Sequence, residues 1–269
     1  MIVLDNTYDI RTPESAYNTL KNITGITPDI RAEYVCKDYK FDYLEEMISY
    51  ILDNFMQREL CYDNLNIVFT HITTSANDCM YYNKYGILNL RDAYLNANTE
   101  LRQFLDKHNI VIDIDRAVLK YDNDYYDISY GEPPHRDTKE YDCWHIGWKL
   151  YFDFAVCGFL TLEDDNPYLG RVHARPEFLQ DIDNLLNLNL SSLWHDTHRP
   201  YAVTAKVCGS KTIYNYDKTE SERDRIVRYV TMAYRKAFSS LSEQYVVLKD
   251  DAFIPSSDII EIKPFTLWS

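Results

Sequence analysis

Seven glycines in 269 residues leave this chain few places where its backbone can pass close to a phosphate or turn through positive φ. Neither G-x-G-x-x-G nor G-x-x-x-x-G-K-[ST] occurs, which excludes the Rossmann and P-loop ways of cradling a nucleotide. Any dinucleotide must therefore be held by another architecture. Tyrosine is abundant instead, at 24 residues.

At 46% hydrophobic and 26% charged residues, the composition fits a folded globular protein. The length suits one large domain with an extension, and we expect residues 1–60 as an N-terminal arm and helix ahead of a domain over 61–269. The formal net charge of -14 argues against broad affinity for nucleic acid or anionic membrane. No apolar run approaches the roughly 20 residues of a membrane span. The first residues lack the pattern of a signal peptide, and the six scattered cysteines form no C-x-x-C pair. A reduced, cytoplasmic protein is the expectation.

Apolar spacing predicts an amphipathic helix over 40–57, on Phe41, Leu44, Met47, Ile48, Ile51, Leu52 and Phe55. A strand, Ile67 to Thr74, follows, and then a polar loop from Ser75 to Lys84. Leu101, Phe104, Leu105 and His108 mark a short helix, and 110–114 a strand. Residues 121–142, rich in Asp, Tyr and Pro, read as a long surface loop. The apolar stretch Trp144 to Leu162 fits either helix or strand. Pro176 opens a helix, and 201–207 and 212–216 read as strands joined at Gly209-Ser210. Thr219-x-x-Glu222 reads as a capping box for a helix to about Ser239. Strands over 243–249 and 258–263 close the chain. Without regular βαβ alternation the class is α+β.

Two strands carry chemistry-bearing residues at their ends. One runs through Phe69-Thr70-His71-Ile72-Thr73 and leads to Tyr85-Gly86-Ile87-Leu88. The other begins at Glu243-Gln244-Tyr245-Val246-Val247-Leu248-Lys249-Asp250 and returns through Ile254-Pro255-Ser256-Ser257-Asp258-Ile259-Ile260. This order resembles the ADP-ribosyltransferases, the fold shared by bacterial toxins and poly(ADP-ribose) polymerases. Gly147-x-x-Leu150-Tyr151-Phe152 resembles the segment that supplies their nicotinamide-stacking tyrosine. The resemblance covers about a sixth of the chain and looks closest to toxins that modify nucleic acids.

The resemblance implies a split β-sandwich of two mainly antiparallel sheets with flanking helices. It also implies transfer of ADP-ribose from NAD, with no metal, to a nucleic acid or a protein. Glu243 would be the catalytic carboxylate and His71 would bind the adenosine ribose. Thr73, with the backbone around Ile72, would fix the carboxamide, and Tyr151 or Tyr126 would stack on the nicotinamide. A carboxylate suits this chemistry because breaking the glycosidic bond builds positive charge on the ribose. A toxin or phage-defence effector of this kind implies an inhibitory partner (an antitoxin). Leu241 stands where many protein-modifying toxins carry Glu or Gln, which disfavours transfer to arginine. Glu261, between Ile260 and Ile262, is expected to point to solvent.

Arg223, Arg225 and Arg228, with Arg235 and Lys236, give the 219–239 helix a basic side. That side is either a solvated face balancing nearby acids or a phosphate track for a nucleic-acid acceptor. An inert protein that engages a basic partner through its acidic surface is the alternative of another class. NAD hydrolysis without an acceptor follows it. A metal-dependent hydrolase built on His195 and His198 comes last, since spacing offers no third ligand.

Overall fold

The computed structural model describes residues 6–25, 41, 43–55, 60–162, 172–213 and 220–266. It is α+β, with nine α-helices among the described residues and two sheets that are antiparallel apart from one short parallel pair. The chain divides into two compact units. The first holds Met1–Thr70, Gly158–Glu163 and Ala205–Val247; the second holds His71–Cys157, Asp164–Thr204 and Leu248–Ser269.

In the first unit, β1 (Thr7–Tyr8) runs parallel to the start of β2 (Asn66–Ser75). Helix α1 (Pro13–Thr24) is started by Thr12, whose hydroxyl accepts from the Ser15 amide while the Ser15 hydroxyl accepts from the Thr12 amide. Gly25, at φ 72°, ends it. The expected amphipathic helix is α2 (Leu44–Phe55), with Met47, Ile48, Ile51 and Leu52 buried. Strands β6 (Cys157–Thr161), β7 (Arg199–Cys208), β8 (Thr212–Ile213) and β9 (Gln244–Leu248) complete this part of the sheet, in the order β7-β2-β6-β9-β8. Thr70 faces Phe159 across the antiparallel β2–β6 pair.

The last helix of this unit spans Glu222–Phe238, and its cap differs from the expected box. Ser221 accepts from the Asp224 amide at 3.1 Å, so Ser221-x-x-Asp224 starts the helix; Thr219 lies outside the described residues. Tyrosines knit the interior together. The Tyr8 hydroxyl donates to the Tyr229 carbonyl at 2.8 Å, and Tyr62 bonds both Tyr229 and Thr212 through its hydroxyl. Their rings lie 4.9 Å apart pairwise, Tyr8 to Tyr229 and Tyr229 to Tyr62. Buried tyrosine is tolerated here because each hydroxyl finds a partner.

In the second unit, β2 and β7 continue and β10 (Ile259–Pro264) pairs with β7. The expected polar loop after β2 folds at its end into helix α3 (Met80–Tyr85). Next come α4 (Leu90–Leu95), capped by Asn89, and α5 (Glu100–Lys107), capped by Thr99. Strands β3 (Ile110–Asp113), β4 (Val118–Tyr121) and β5 (Asp124–Asp127) form an antiparallel meander. The expected long loop over 121–142 is thus shorter. Its first part is the β4–β5 hairpin, and its end enters α6 (Lys139–Tyr151), capped by Thr138.

The undecided stretch from Trp144 is therefore helix and then strand, α6 followed by β6. Gly147 of α6 sits against the chain at Ile128, where a Cβ would stand 1.9 Å from the Ile128 carbonyl oxygen. Helix α7 (Glu177–Leu186) begins after Pro176, and α8 (Leu190–Thr197) is tied to it by Asp183. The Asp183 carboxylate accepts from the Leu190 and Ser191 amides at 2.6 and 2.8 Å. Helix α9 is the Glu222–Phe238 helix of the first unit. Within the second unit one apolar core, including Leu105, Ile112, Leu119, Ile146, Phe178, Ile182 and Trp194, joins α5, α6, α7 and α8 to β3 and β4. Fully burying such a side chain is worth about 1.5–3 kcal/mol.

Candidate functional site

Along β2 the side chains alternate, so His71 and Thr73 are half-exposed while Ile72 and Thr74 are buried. The His71 Nδ1 lies 2.9 Å from the Cys157 carbonyl oxygen. A carbonyl only accepts, so Nδ1 carries the proton and Nε2 is left as a lone-pair acceptor. Desolvation lowers the pKa of this imidazole, with the bond to Cys157 opposing, and the ring is neutral at pH 7.

Helix α3 brings Tyr82 beside this pair. Its hydroxyl lies 2.5 Å from the Thr73 Oγ1, and its ring centre 6.4 Å from that of His71. Burial, with the Thr73 bond opposing, raises the Tyr82 phenol far above its usual range, so it stays protonated. Tyr81 packs edge-on to Tyr82 at 5.8 Å and tilted to Tyr85 at 4.9 Å. The polar composition of 75–84 reads as loop and hides Tyr82. Its available signal was the i, i+4 spacing of Tyr81 and Tyr85.

The far end of β2 is anchored by a polar network. The Ser75 hydroxyl donates to Glu100 at 2.8 Å, and the Ala76 amide donates to the same carboxylate at 3.0 Å. His198 Nε2 stands 3.3 Å from Glu100, and its Nδ1 is 3.0 Å from the Trp194 carbonyl. Its ring stacks on Trp194 at 3.6 Å, and the Trp194 indole N–H donates to Thr74 at 2.8 Å. Burial works to raise the Glu100 carboxyl, but the His198, Ala76 and Ser75 bonds outweigh it and hold it low. His198 is thus committed to Glu100, while His195 is exposed. Among the described residues no three His, Cys, Asp or Glu side chains cluster to hold a metal.

Tyr151 ends α6 with its hydroxyl donating to the Ile114 carbonyl at 2.7 Å, its ring parallel to Tyr130 and the Arg91 guanidinium 5.9 Å from its centre. Tyr126 lies in β5 opposite Leu119 and packs on the apolar core. Burial raises the pKa of both phenols.

Glu243, in the first unit, is half-buried immediately before β9. The backbone on either side of it is pinned. The Gln244 amide donates to the Thr161 hydroxyl at 3.0 Å, and that hydroxyl donates to the Ser242 carbonyl at 3.2 Å. Leu241 is buried, and Glu261 is exposed and paired with Lys263 at 2.8 Å.

The four arginines on the basic side of α9 each meet a neighbour within the first unit. Arg223 pairs with Asp53 and donates to the Ser49 carbonyl, Arg228 pairs with Glu220, and Arg235 with Glu45. Arg225 lies 4.9 Å over the Tyr62 ring.

Sequence reasoning also passed over a histidine–aspartate pair, His145 of α6 and Asp181 of α7. His145 Nδ1 lies 2.8 Å from Asp181 Oδ1. The two residues are 36 apart, and no motif links them. One turn on, Lys149 bridges Asp153 at 2.7 Å and Glu177 at 3.1 Å. Burial works against its charge, but the two carboxylates prevail and hold the ammonium above its ordinary pKa. The chain matches no protein-family model, no curated protein and no solved structure.

Proposed function

We propose that this chain is a mono-ADP-ribosyltransferase with an ADP-ribosyltransferase-like split β-sandwich, moving ADP-ribose from NAD to a nucleic acid or a protein. The observation that supports this reading most is the neutral His71, whose Nε2 is an acceptor of the kind a ribose hydroxyl needs. Thr73 and Tyr82 add two hydroxyls next to it, able to bond a carboxamide. The ring for the nicotinamide to stack on is Tyr151, with Tyr126 the second choice and Tyr82, beside His71, a third.

In the reaction the bond between the ribose C1′ and the nicotinamide nitrogen breaks, and its electron pair leaves with nicotinamide. The acceptor's heteroatom gives a pair to C1′ and releases its proton. Glu243 is assigned to the nicotinamide ribose, where its carboxylate bonds the 2′-hydroxyl and offsets the positive charge that develops. An inhibitory partner belongs to the same reading, since such an activity would harm the cell that makes it.

The test is incubation of the full chain with adenylate-labelled NAD and whole-cell lysate, followed by nuclease or protease digestion. Label entering a macromolecule with the unmodified chain, and not with Glu243→Ala, is the expected result. A result with no label transfer and no loss of NAD overturns the proposal. A second reading, an inert protein that binds a basic partner, is favoured by one observation. Arg223, Arg228 and Arg235 are each matched to a carboxylate, while the chain as a whole carries -14. Unchanged NAD binding and unchanged cellular effect in Glu243→Ala would favour that reading.

A further inference from the structure

Helix α6 carries a row of rings on one side, Tyr141, Trp144, His145, Trp148 and, just past its end, Phe152. The spacing i, i+3, i+4, i+7, i+11 places them on one helical stripe. Tyr141 and Trp144 are 5.7 Å apart, Trp144 and Trp148 5.3 Å, and Trp148 and Phe152 4.1 Å. Tyr130 meets Trp148 edge-on at 5.8 Å. The row is not buried; Phe152 is 51% and Tyr130 38% exposed, and the others are half-exposed. Trp144 is held in place by its indole N–H, which donates to the Gly131 carbonyl at 2.9 Å.

His145 stands within this row, its ring parallel to Tyr141 at 5.9 Å. Asp181 is 8% exposed and fixes the imidazole from behind, 2.8 Å from Nδ1. With Nδ1–H donated to the carboxylate, the neutral form of the half-exposed ring presents Nε2 as an acceptor, and Nε2 has no hydrogen-bond partner among the described residues. The arrangement offers a large π-surface and one oriented acceptor, which suits a ligand with a broad flat face and an in-plane N–H. Glu140 and Asp142 lie on the same helix and repel an anion, which disfavours a ligand carrying a phosphate.

We propose that the Tyr141–Trp144–Trp148 row with His145 and Asp181 forms a binding site for an uncharged heteroaromatic ring, a nucleobase bearing a ring N–H that donates to His145 Nε2. The site is independent of the transferase reading. Stacking on indole and phenol is sequence-tolerant, and the N–H bond supplies the discrimination.

Binding to the full chain is measured with uridine and N3-methyluridine by tryptophan fluorescence, alongside the imidazole nitrogen resonances. Uridine is expected to quench the fluorescence and shift the His145 Nε2 resonance, and N3-methyluridine to bind about tenfold more weakly. His145→Gln is expected to abolish that preference while leaving some binding, and Trp148→Ala to weaken both ligands. Asp181→Asn, checked for folding by circular dichroism, lets the ring adopt the other tautomer and is expected to lose the preference too. No binding of uridine, or a preference that survives His145→Gln, overturns the proposal.

Discussion

Replacing Gly86 with alanine tests the reasoning about backbone most sharply. Gly86 closes α3 at φ 79°, ψ -163°, a region that only glycine occupies without strain. A Cβ there would stand 1.9 Å from the Ile254 carbonyl oxygen, 2.9 Å from the Ile254 carbonyl carbon and 3.0 Å from that of Pro255. All three atoms are backbone, so no side-chain rotation relieves the clash. The next residue, Ile87, makes the two bonds that tie this segment to Ile254, at 2.9 and 3.0 Å. The strained conformation costs about 1–3 kcal/mol in a non-glycine residue. Each of the two backbone bonds, if lost, adds about 1 kcal/mol. The sum, about 3–5 kcal/mol, is a hundredfold or greater change in local opening. Hydrogen exchange of the Ile87 and Ile254 amides reads it directly. Gly131→Ala is the control, because a Cβ at Gly131 meets nothing within 4 Å and its φ is not positive. If Gly86→Ala changes those two amides no more than Gly131→Ala does, the argument from the Ile254 contact is wrong.

The Glu100 carboxyl has its folded pKa below the ordinary value of 4.5, so its stabilisation is complete above that value and is lost as pH falls through the lower, folded one. Glu100→Gln should therefore cost about 1–3 kcal/mol in urea titrations at pH 7, and the gap to the unmodified chain should close as the solution is acidified; a pH-independent gap would refute this. The fully buried Cys79, its thiol pushed up to about 12 by burial, should resist a disulfide reagent at pH 8 until the chain unfolds, as thiol-release kinetics in urea would show. Arg228→Ala leaves the Glu220 side chain, 5% exposed, without this partner, whereas Arg223→Ala releases an Asp53 that is 63% exposed. The first should lower stability by about 1–3 kcal/mol and the second by under about 1 kcal/mol, and equal urea midpoints would count against the pairing as drawn.

Local pattern alone determined much of this molecule. The apolar spacing of Met47, Ile48, Ile51 and Leu52 fixed α2, and the run from Ile67 to Thr74 fixed β2, because periodicity and branching act over a few residues and need no partner. Alternation also put His71 and Thr73 on one side of β2 and Ile72 on the other. Where an element depended on a distant contact, the pattern was silent. Helix α3 is bonded back to Thr73 through Tyr82 and closes against Ile254, and Tyr94 reaches Ile112 through both its hydroxyl donor and acceptor sites. The polar run from Asp122 to Asp127 reads as a loop, yet it turns a hairpin whose strands are fixed by pairing with Val118 to Tyr121. The pairing of His145 with Asp181, the stacking of His198 on Trp194 beside Glu100, and the matching of the α9 arginines to Asp53, Glu220 and Glu45 were likewise settled only by folding. A side chain's charge and shape are written in its residue, but its protonation, tautomer and free lone pairs belong to the groups that tertiary structure sets within hydrogen-bonding distance of it.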